Sequence, residues 1–395
     1  PYKNKDFWDI DKDPLVLRDF IMRYVNSNNR QSSPKYLYGE SYSGIRTPIL
    51  ANRMEEAGTA QFEPDPTGLP PVVLSGFVLN SPILDYGSNC GMLGPYRCNG
   101  FIPSYAIMAD YYGLTKTRGT VSLADYAEAM RKFIDEKYEP AIQAKLKGQT
   151  SWDAYRQTAE GVQTLADLAA NTGDLAQIIT QTTTTGGGGR GGAGTITTTK
   201  LTWTQWWEAG VSRNPMVYLD TVRPRYAYAN YNIYDARMST TNTAIDPSAY
   251  YDAAFPAGLQ EQLTQDFDYH NGSHYSVAAD QNQSGNLFSS WNYTRANSAY
   301  RPRSSLTDLT NALTYDPALK TLVVHGYTDF ATPFHQTDLD LKGIGLQDRV
   351  PVKLYEGGHM MYFTQPSRQP LKSDLDAFYD APPYGSPPPP VVATQ

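Results

Sequence analysis

The chain has 395 residues, with 33 Lys and Arg against 40 Asp and Glu and a net charge of −7. That length can bury a large core, and without a basic block the charge balance argues against nucleic acid as a partner. No apolar run reaches membrane-spanning length, so no membrane partner is expected, and the first residues carry no signal-peptide pattern.

Residues 14–29 read as an amphipathic helix, with Leu17, Phe20, Ile21, Tyr24 and Val25 on one face and Arg18, Asp19 and Arg23 opposite. Tyr36, Leu37 and Tyr38 end a short strand. A helix follows from Ile45, with Ile49, Leu50 and Met54 at helical spacing, Gly58 closing it and Pro48 in its first turn. Ser41 therefore falls in a tight strand-to-helix turn, the nucleophile elbow of an α/β-hydrolase. The motif Gly39-Glu40-Ser41-Tyr42-Ser43-Gly44 departs from the plain G-x-S-x-G, since Ser43 stands two after the serine and the second glycine one later. Small residues are needed there because strand and helix backbones come close. On these residues alone, a serine in an ordinary loop remains the alternative.

A polar loop at 63–70 leads to a buried parallel strand at 72–79, giving the strand–helix–strand order of an α/β protein. Cys90 and Cys98, the two cysteines, sit in a loop with no further Cys or His nearby, so no metal or other cofactor is expected. They form either a disulfide, implying an oxidising compartment, or two free thiols. From 90 to 311 the character changes. Helices are expected at 123–146 and 155–170, a flexible low-complexity loop at 182–200 around Gly186–Gly189, and Tyr- and Trp-rich stretches at 203–207 and 226–234. This block reads as a large, mostly helical cap inserted between a first core part at 1–89 and a second at 312–380. Asn271, Asn282 and Asn292 lie in glycosylation sequons that matter only in a secreted eukaryotic protein.

The second core part holds a buried strand at 321–325 leading to Asp329, another buried strand at 350–355 leading to His359, and a helix at 371–379. A Pro-rich tail at 381–395 is expected to be disordered. Ser41, Asp329 and His359 thus follow the carboxyl ends of three strands, the edge where α/β sheets gather their catalytic groups. The order Ser, Asp, His is that of α/β-hydrolases. Serine is a weak nucleophile until a base removes its proton, and the acid holds the imidazole in the right tautomer. Of the other histidines, His325 lies inside a strand as core and His335 beyond Asp329. His270 and His274 flank Asn271-Gly272, a turn rather than a metal-binding helix face.

Gly-Glu-Ser-Tyr-Ser-Gly at 39–44, Gly-Tyr-Thr-Asp-Phe-Ala-Thr-Pro at 326–333, Gly-Gly-His-Met at 357–360 and the segment 316–325 resemble the serine carboxypeptidases, above all the branch found in bacteria and fungi. The resemblance runs from about residue 5 to residue 379. It implies an exopeptidase acting through an acyl-enzyme on peptides with a free C-terminus, in a secreted, periplasmic or vacuolar (lysosomal) setting. It makes Ser41 the nucleophile, Asp329 the acid, His359 the base, the Tyr42 N–H half of the oxyanion hole, and Glu40 the residue that binds the substrate's terminal carboxylate. Members of the family also carry N-terminal strands and an Asn-Gly-Gly-Pro-Gly type loop before the elbow. Nothing like that loop occurs here, so the N-terminal strands are expected to be absent, with a separate N-terminal fragment as a candidate partner that completes the fold. Two other readings stay open: an esterase or acyltransferase on the same triad, and an inactive truncated or binding relic.

Overall fold

The computed structural model describes residues 4–60, 62–64, 68–89, 99–141, 153–173, 179–185, 195–202, 205, 230–240, 255, 258–259, 261–269, 290–296 and 302–386. In chain order they form α1 (Lys12–Ser27), β1 (Tyr36–Glu40), α2 (Ser43–Glu55), β2 (Gly76–Asn80), α3 (Ile102–Tyr111), α4 (Leu123–Phe133) and α5 (Ala159–Thr172). The pairs β3 (Ile179–Thr185) with β4 (Thr195–Leu201) and β5 (Asn230–Tyr231) with β6 (Ser239–Thr240) follow. The chain then runs through α6 (Leu306–Tyr315), β7 (Lys320–Gly326), α7 (Phe334–Gly343), β8 (Val352–Tyr355) and α8 (Gln365–Asp380).

Four strands make a parallel sheet in the order β1-β2-β7-β8. Tyr36 stands opposite Gly76, Gly76 opposite Lys320, and Val323 opposite Val352. Parallel neighbours need crossovers; α2 supplies one between β1 and β2, and α7 another between β7 and β8. Successive strand side chains point to opposite faces. Phe77, Leu79 and Val323 meet Met22 and Val25 of α1, Leu50 and Met54 of α2, Leu309 of α6 and Leu341 of α7. Val78, Leu322 and Val324 meet Met361 and Leu371 on the other face. Both faces are covered, so β2 and β7 are buried along their whole length, with apolar centres at residues 77–79 and 322–324. The class is α/β, as the sequence suggests. A second core, built by α3, α4 and α5, packs on Tyr327, Phe330 and Phe334 and so supports the turn that follows β7.

Several local expectations are corrected. The strand foreseen at 72–79 begins only at Gly76; Glu55 Oε1 accepts the Leu74 N–H at 2.7 Å, so a side chain replaces a ladder partner there. In α1, Phe20 and Tyr24 are 65% and 58% exposed and stack on each other, while Met22 and Val25 fill the core. The buried arc is set by where α2 lies, not by the hydrophobic residues of α1 alone. The threonine-rich stretch at 182–200 is no simple loop: its arms pair as β3 and β4, with Thr182 opposite Thr198. Threonine is β-branched and suits a strand. The helix expected at 123–146 stops being α-helical at Phe133 and continues as a π-helical turn, Ile134–Tyr138. Helix α8 starts six residues earlier than foreseen, with a proline in its first turn, where no N–H is required. Cys90, Cys98, Gly186–Gly189, His270, Asn271, His274, Asn282 and residues 387–395 lie outside the described residues, as do most positions of 203–207 and 226–229.

Candidate active site

β1 ends at Glu40, α2 begins at Ser43, and Ser41 between them has φ +59°. A left-handed backbone costs a non-glycine residue about 1 kcal/mol or more and persists only where its surroundings enforce it. Here the Ser41 N–H donates to Asn80 O at 2.9 Å, extending the β1–β2 ladder, and the Ser41 carbonyl accepts from Gly44 N at 2.9 Å and Ile83 N at 3.1 Å. The small residues around it have specific causes. A Cβ on Gly39 would stand 2.3 Å from Thr47 Oγ1 and 2.7 Å from Ser43 Cβ, and one on Gly44 would stand 2.3 Å from the Ile83 carbonyl. Helix α2 starts two residues before Ile45, which moves Pro48 out of the first turn expected for it. The missing N–H leaves the Gly44 carbonyl without its helical donor, and Ser305 Oγ donates to it instead at 2.7 Å.

Asp329 lies three residues beyond β7 and is fully buried. Its Oδ1 accepts the N–H groups of Ala331 at 2.8 Å and Thr332 at 3.0 Å. Its Oδ2 accepts from His359 Nδ1 at 2.8 Å and from Thr332 Oγ1 at 2.8 Å. His359, four residues beyond β8, is 3% exposed. Its backbone is held at both ends: the N–H donates to Tyr234 O at 2.6 Å, and the carbonyl accepts from Ser81 Oγ at 2.8 Å. Burial opposes a charge on His359, but the Asp329 carboxylate, through charge and hydrogen bond, and Glu40 more weakly, outweigh it and hold the pKa above the ordinary histidine value. With Nδ1–H given to Asp329, the neutral ring presents Nε2 as a base. Among the described residues that buried Nε2 has no hydrogen-bond partner.

Glu40 is half-buried beside Ser41. Its Oε2 accepts from Asn80 Nδ2 at 2.6 Å and from the Tyr362 hydroxyl at 3.0 Å. The Tyr42 ring packs edge-on against Trp291 at 5.4 Å and under the Arg46 guanidinium at 5.1 Å, which fixes the orientation of the peptide that carries its N–H.

Glu40 therefore ends β1 and Ser41 and Tyr42 follow it, Asp329 follows β7 and His359 follows β8, all at one edge of one sheet. His325 is fully buried within β7 and His335 is buried on α7. Sequence reasoning passed over Asn80, Ser81, Thr332, Tyr362 and the segment 232–238. That segment bolts the turns that carry Asp329 and His359 together: Phe330 N donates to Ile233 O at 3.0 Å and Ala236 N to Thr328 O at 3.1 Å, while Thr328 Oγ1 donates to Asp235 at 2.8 Å. It also explains Gly358, whose Cβ would stand 2.1 Å from Tyr234 O. A polar Asn-Ser pair closing an apolar strand was a readable signal for residues 80 and 81; Tyr362 carried none. No protein-family model matches the sequence, and no curated protein matches it.

Proposed function

We propose that the chain is a serine hydrolase of the α/β-hydrolase type, with residues 90–311 as its cap, and that it acts as a carboxypeptidase. The observation that carries this is Ser41 on a left-handed strand-to-helix turn after β1, at the same end of the sheet as the buried Asp329–His359 pair, whose members follow the strands two and three places along. Ser41 Oγ attacks the last peptide carbonyl of the substrate while His359 Nε2 takes its proton, and the Tyr42 N–H faces the oxyanion that forms. Collapse expels the terminal amino acid, whose amine takes that proton from His359. Water, deprotonated by the same imidazole, then attacks the acyl-enzyme; the bond to Ser41 Oγ breaks, the imidazolium returns the proton to that oxygen, and the shortened peptide leaves. Asp329 stays ionised throughout and stabilises the imidazolium. Glu40 supports the choice of an exopeptidase, being a carboxyl group next to the nucleophile with one oxygen held by two donors; in its protonated form the other oxygen donates to the substrate's terminal carboxylate.

The test combines a fluorophosphonate probe with three substrates that share one acyl group: a blocked dipeptide with a free C-terminus, its amide and an ester. Labelling of the parent but not of Ser41→Ala, with the free acid turned over faster than the amide, is expected. Labelling with ester turnover alone would make the chain an esterase or acyltransferase, and no labelling at all would make it a non-catalytic relic.

A further inference from the structure

A ring of buried hydrogen bonds closes behind the His359 imidazole. Ser81 Oγ donates to the His359 carbonyl at 2.8 Å, and His359 Nδ1 donates to Asp329 Oδ2 at 2.8 Å. Thr332 Oγ1 lies 2.8 Å from Asp329 Oδ2, 2.8 Å from the Ser81 carbonyl and 3.1 Å from His359 Nδ1. Ser81 and Asp329 are 0% exposed and Thr332 and His359 3%, so solvent cannot replace a lost partner. A hydroxyl has one proton, which here serves two acceptors as a three-centre bond. Ser81 itself sits at φ +43°, held by its N–H to Val324 O at 2.8 Å. That backbone suits glycine better than serine, yet the position carries a hydroxyl and the ring uses it.

We infer that Thr332 and Ser81 are positioning residues of the Asp329–His359 pair, joining the ends of β2, β7 and β8 so that the imidazole keeps its place through both proton transfers. The inference rests on the reading that this pair does the chemistry. Neither side chain contacts substrate in this role. Thr332 holds Oδ2 in the plane the imidazole N–H needs, and Ser81 ties the histidine's backbone to the strand beside Ser41. In Thr332→Val both acceptors of the shared proton lose it together, and the carboxylate gains freedom to rotate. Misplacement of a catalytic group by an ångström costs on the order of 10²-fold in rate.

The experiment compares the full-length parent with Thr332→Val, Thr332→Ser and Ser81→Gly, the glycine chosen because it tolerates the left-handed backbone. Circular dichroism and melting confirm folding. The low-field proton resonance of His359 Nδ1–H, assigned by its loss in His359→Ala, is recorded for each folded variant, and kcat and KM are measured on the blocked dipeptide. Thr332→Val and Ser81→Gly should lower kcat about 10- to 100-fold with KM within about 3-fold of the parent. In Thr332→Val the resonance should shift or broaden, and Thr332→Ser should restore both it and kcat. A parent-like kcat and an unmoved resonance in Thr332→Val and Ser81→Gly overturn the inference while leaving the hydrolase reading intact. If the parent neither reacts with the probe nor turns over substrate, the hydrolase reading fails. The resonance then decides on positioning alone: moved in Val and restored in Ser supports it, unmoved refutes it.

Discussion

At the scale of single residues, charge and proton placement dominate what the site can do. Ser41→Ala and His359→Ala should each abolish turnover of the blocked dipeptide; Ser41→Ala should leave the melting temperature nearly unchanged, whereas His359→Ala takes a partner from the buried Asp329 carboxylate and should lower it. Asp329→Asn keeps the shape but supports the wrong tautomer and should cost about 10⁴-fold in kcat. The same change removes the carboxylate that holds the His359 pKa above its ordinary value, so the acid limb of any remaining activity should move to lower pH. An acid limb that stays put would mean that Asp329 does not govern the imidazole. Glu40→Ala should raise KM for the free-acid peptide about 10-fold or more and leave the amide nearly unaffected, because only the former presents a charge to be bonded. Equal effects on both would separate Glu40 from carboxylate recognition.

At the scale of elements, α2 presents an unusual feature: a proline past its first turn whose cost is met from a distant helix. Ser305 precedes α6 and is fully buried, with its hydroxyl on the Gly44 carbonyl at 2.7 Å. Ser305→Ala leaves that carbonyl without a donor and should destabilise the chain by about 1–3 kcal/mol in denaturant melts. Pro48→Ala restores an N–H at the helical position, so in that background Ser305→Ala should cost less. The coupling read from the double-mutant cycle should be about 1 kcal/mol. Purely additive effects would show that Ser305 does not act as the substitute donor. The same contact fixes α6 on α2, and with it the base of the elbow.

At the scale of the whole molecule, two buried titratable groups oppose one another in pH. His325, with Nε2 on Thr337 Oγ1 at 2.9 Å, has its pKa pushed down to about 4, chiefly by burial. Between pH 4 and 6.5 the unfolded chain binds a proton there that the folded chain does not, so its contribution is intact above about pH 6.5 and is lost as pH falls. Glu55 is 6% exposed and its pKa is pushed up to about 7 by burial, with the Leu74 N–H pulling the other way. Between pH 4.5 and 7 the folded chain keeps a proton that the unfolded chain releases, so this contribution is present at low pH and lost as pH rises. Each shift corresponds to about 3 kcal/mol, and over the shared range the slopes offset. Glu55→Gln keeps an acceptor for Leu74 and removes the titration. Its stability relative to the parent should therefore rise by up to about 3 kcal/mol between pH 4.5 and pH 7. A difference that is constant with pH would show that Glu55 ionises freely in the folded chain.

The residues of the sequence by themselves determined the α/β class, the strand-to-helix turn at Ser41 and the placement of Asp329 and His359 at strand ends. Each depends on a contiguous stretch, a short β-prone run ended by small or polar residues, although only the one before Asp329 is a buried strand: β1 and β8, the latter expected to be buried, are part-exposed. The tertiary structure alone decided which face of α1 is buried, because Phe20 and Met22 are both apolar and only the position of α2 separates them. It likewise decided that Ser305, 261 positions away, supports Gly44, and that Ser81 and Tyr234 hold the His359 backbone from either side. Tyr362 on Glu40 and Thr332 on Asp329 belong with these. The physical reason is that a hydrogen bond between side chains far apart in the chain leaves no period and no local composition to read. Its partners become neighbours only when parallel crossovers bring the ends of β1, β2, β7 and β8 to one edge.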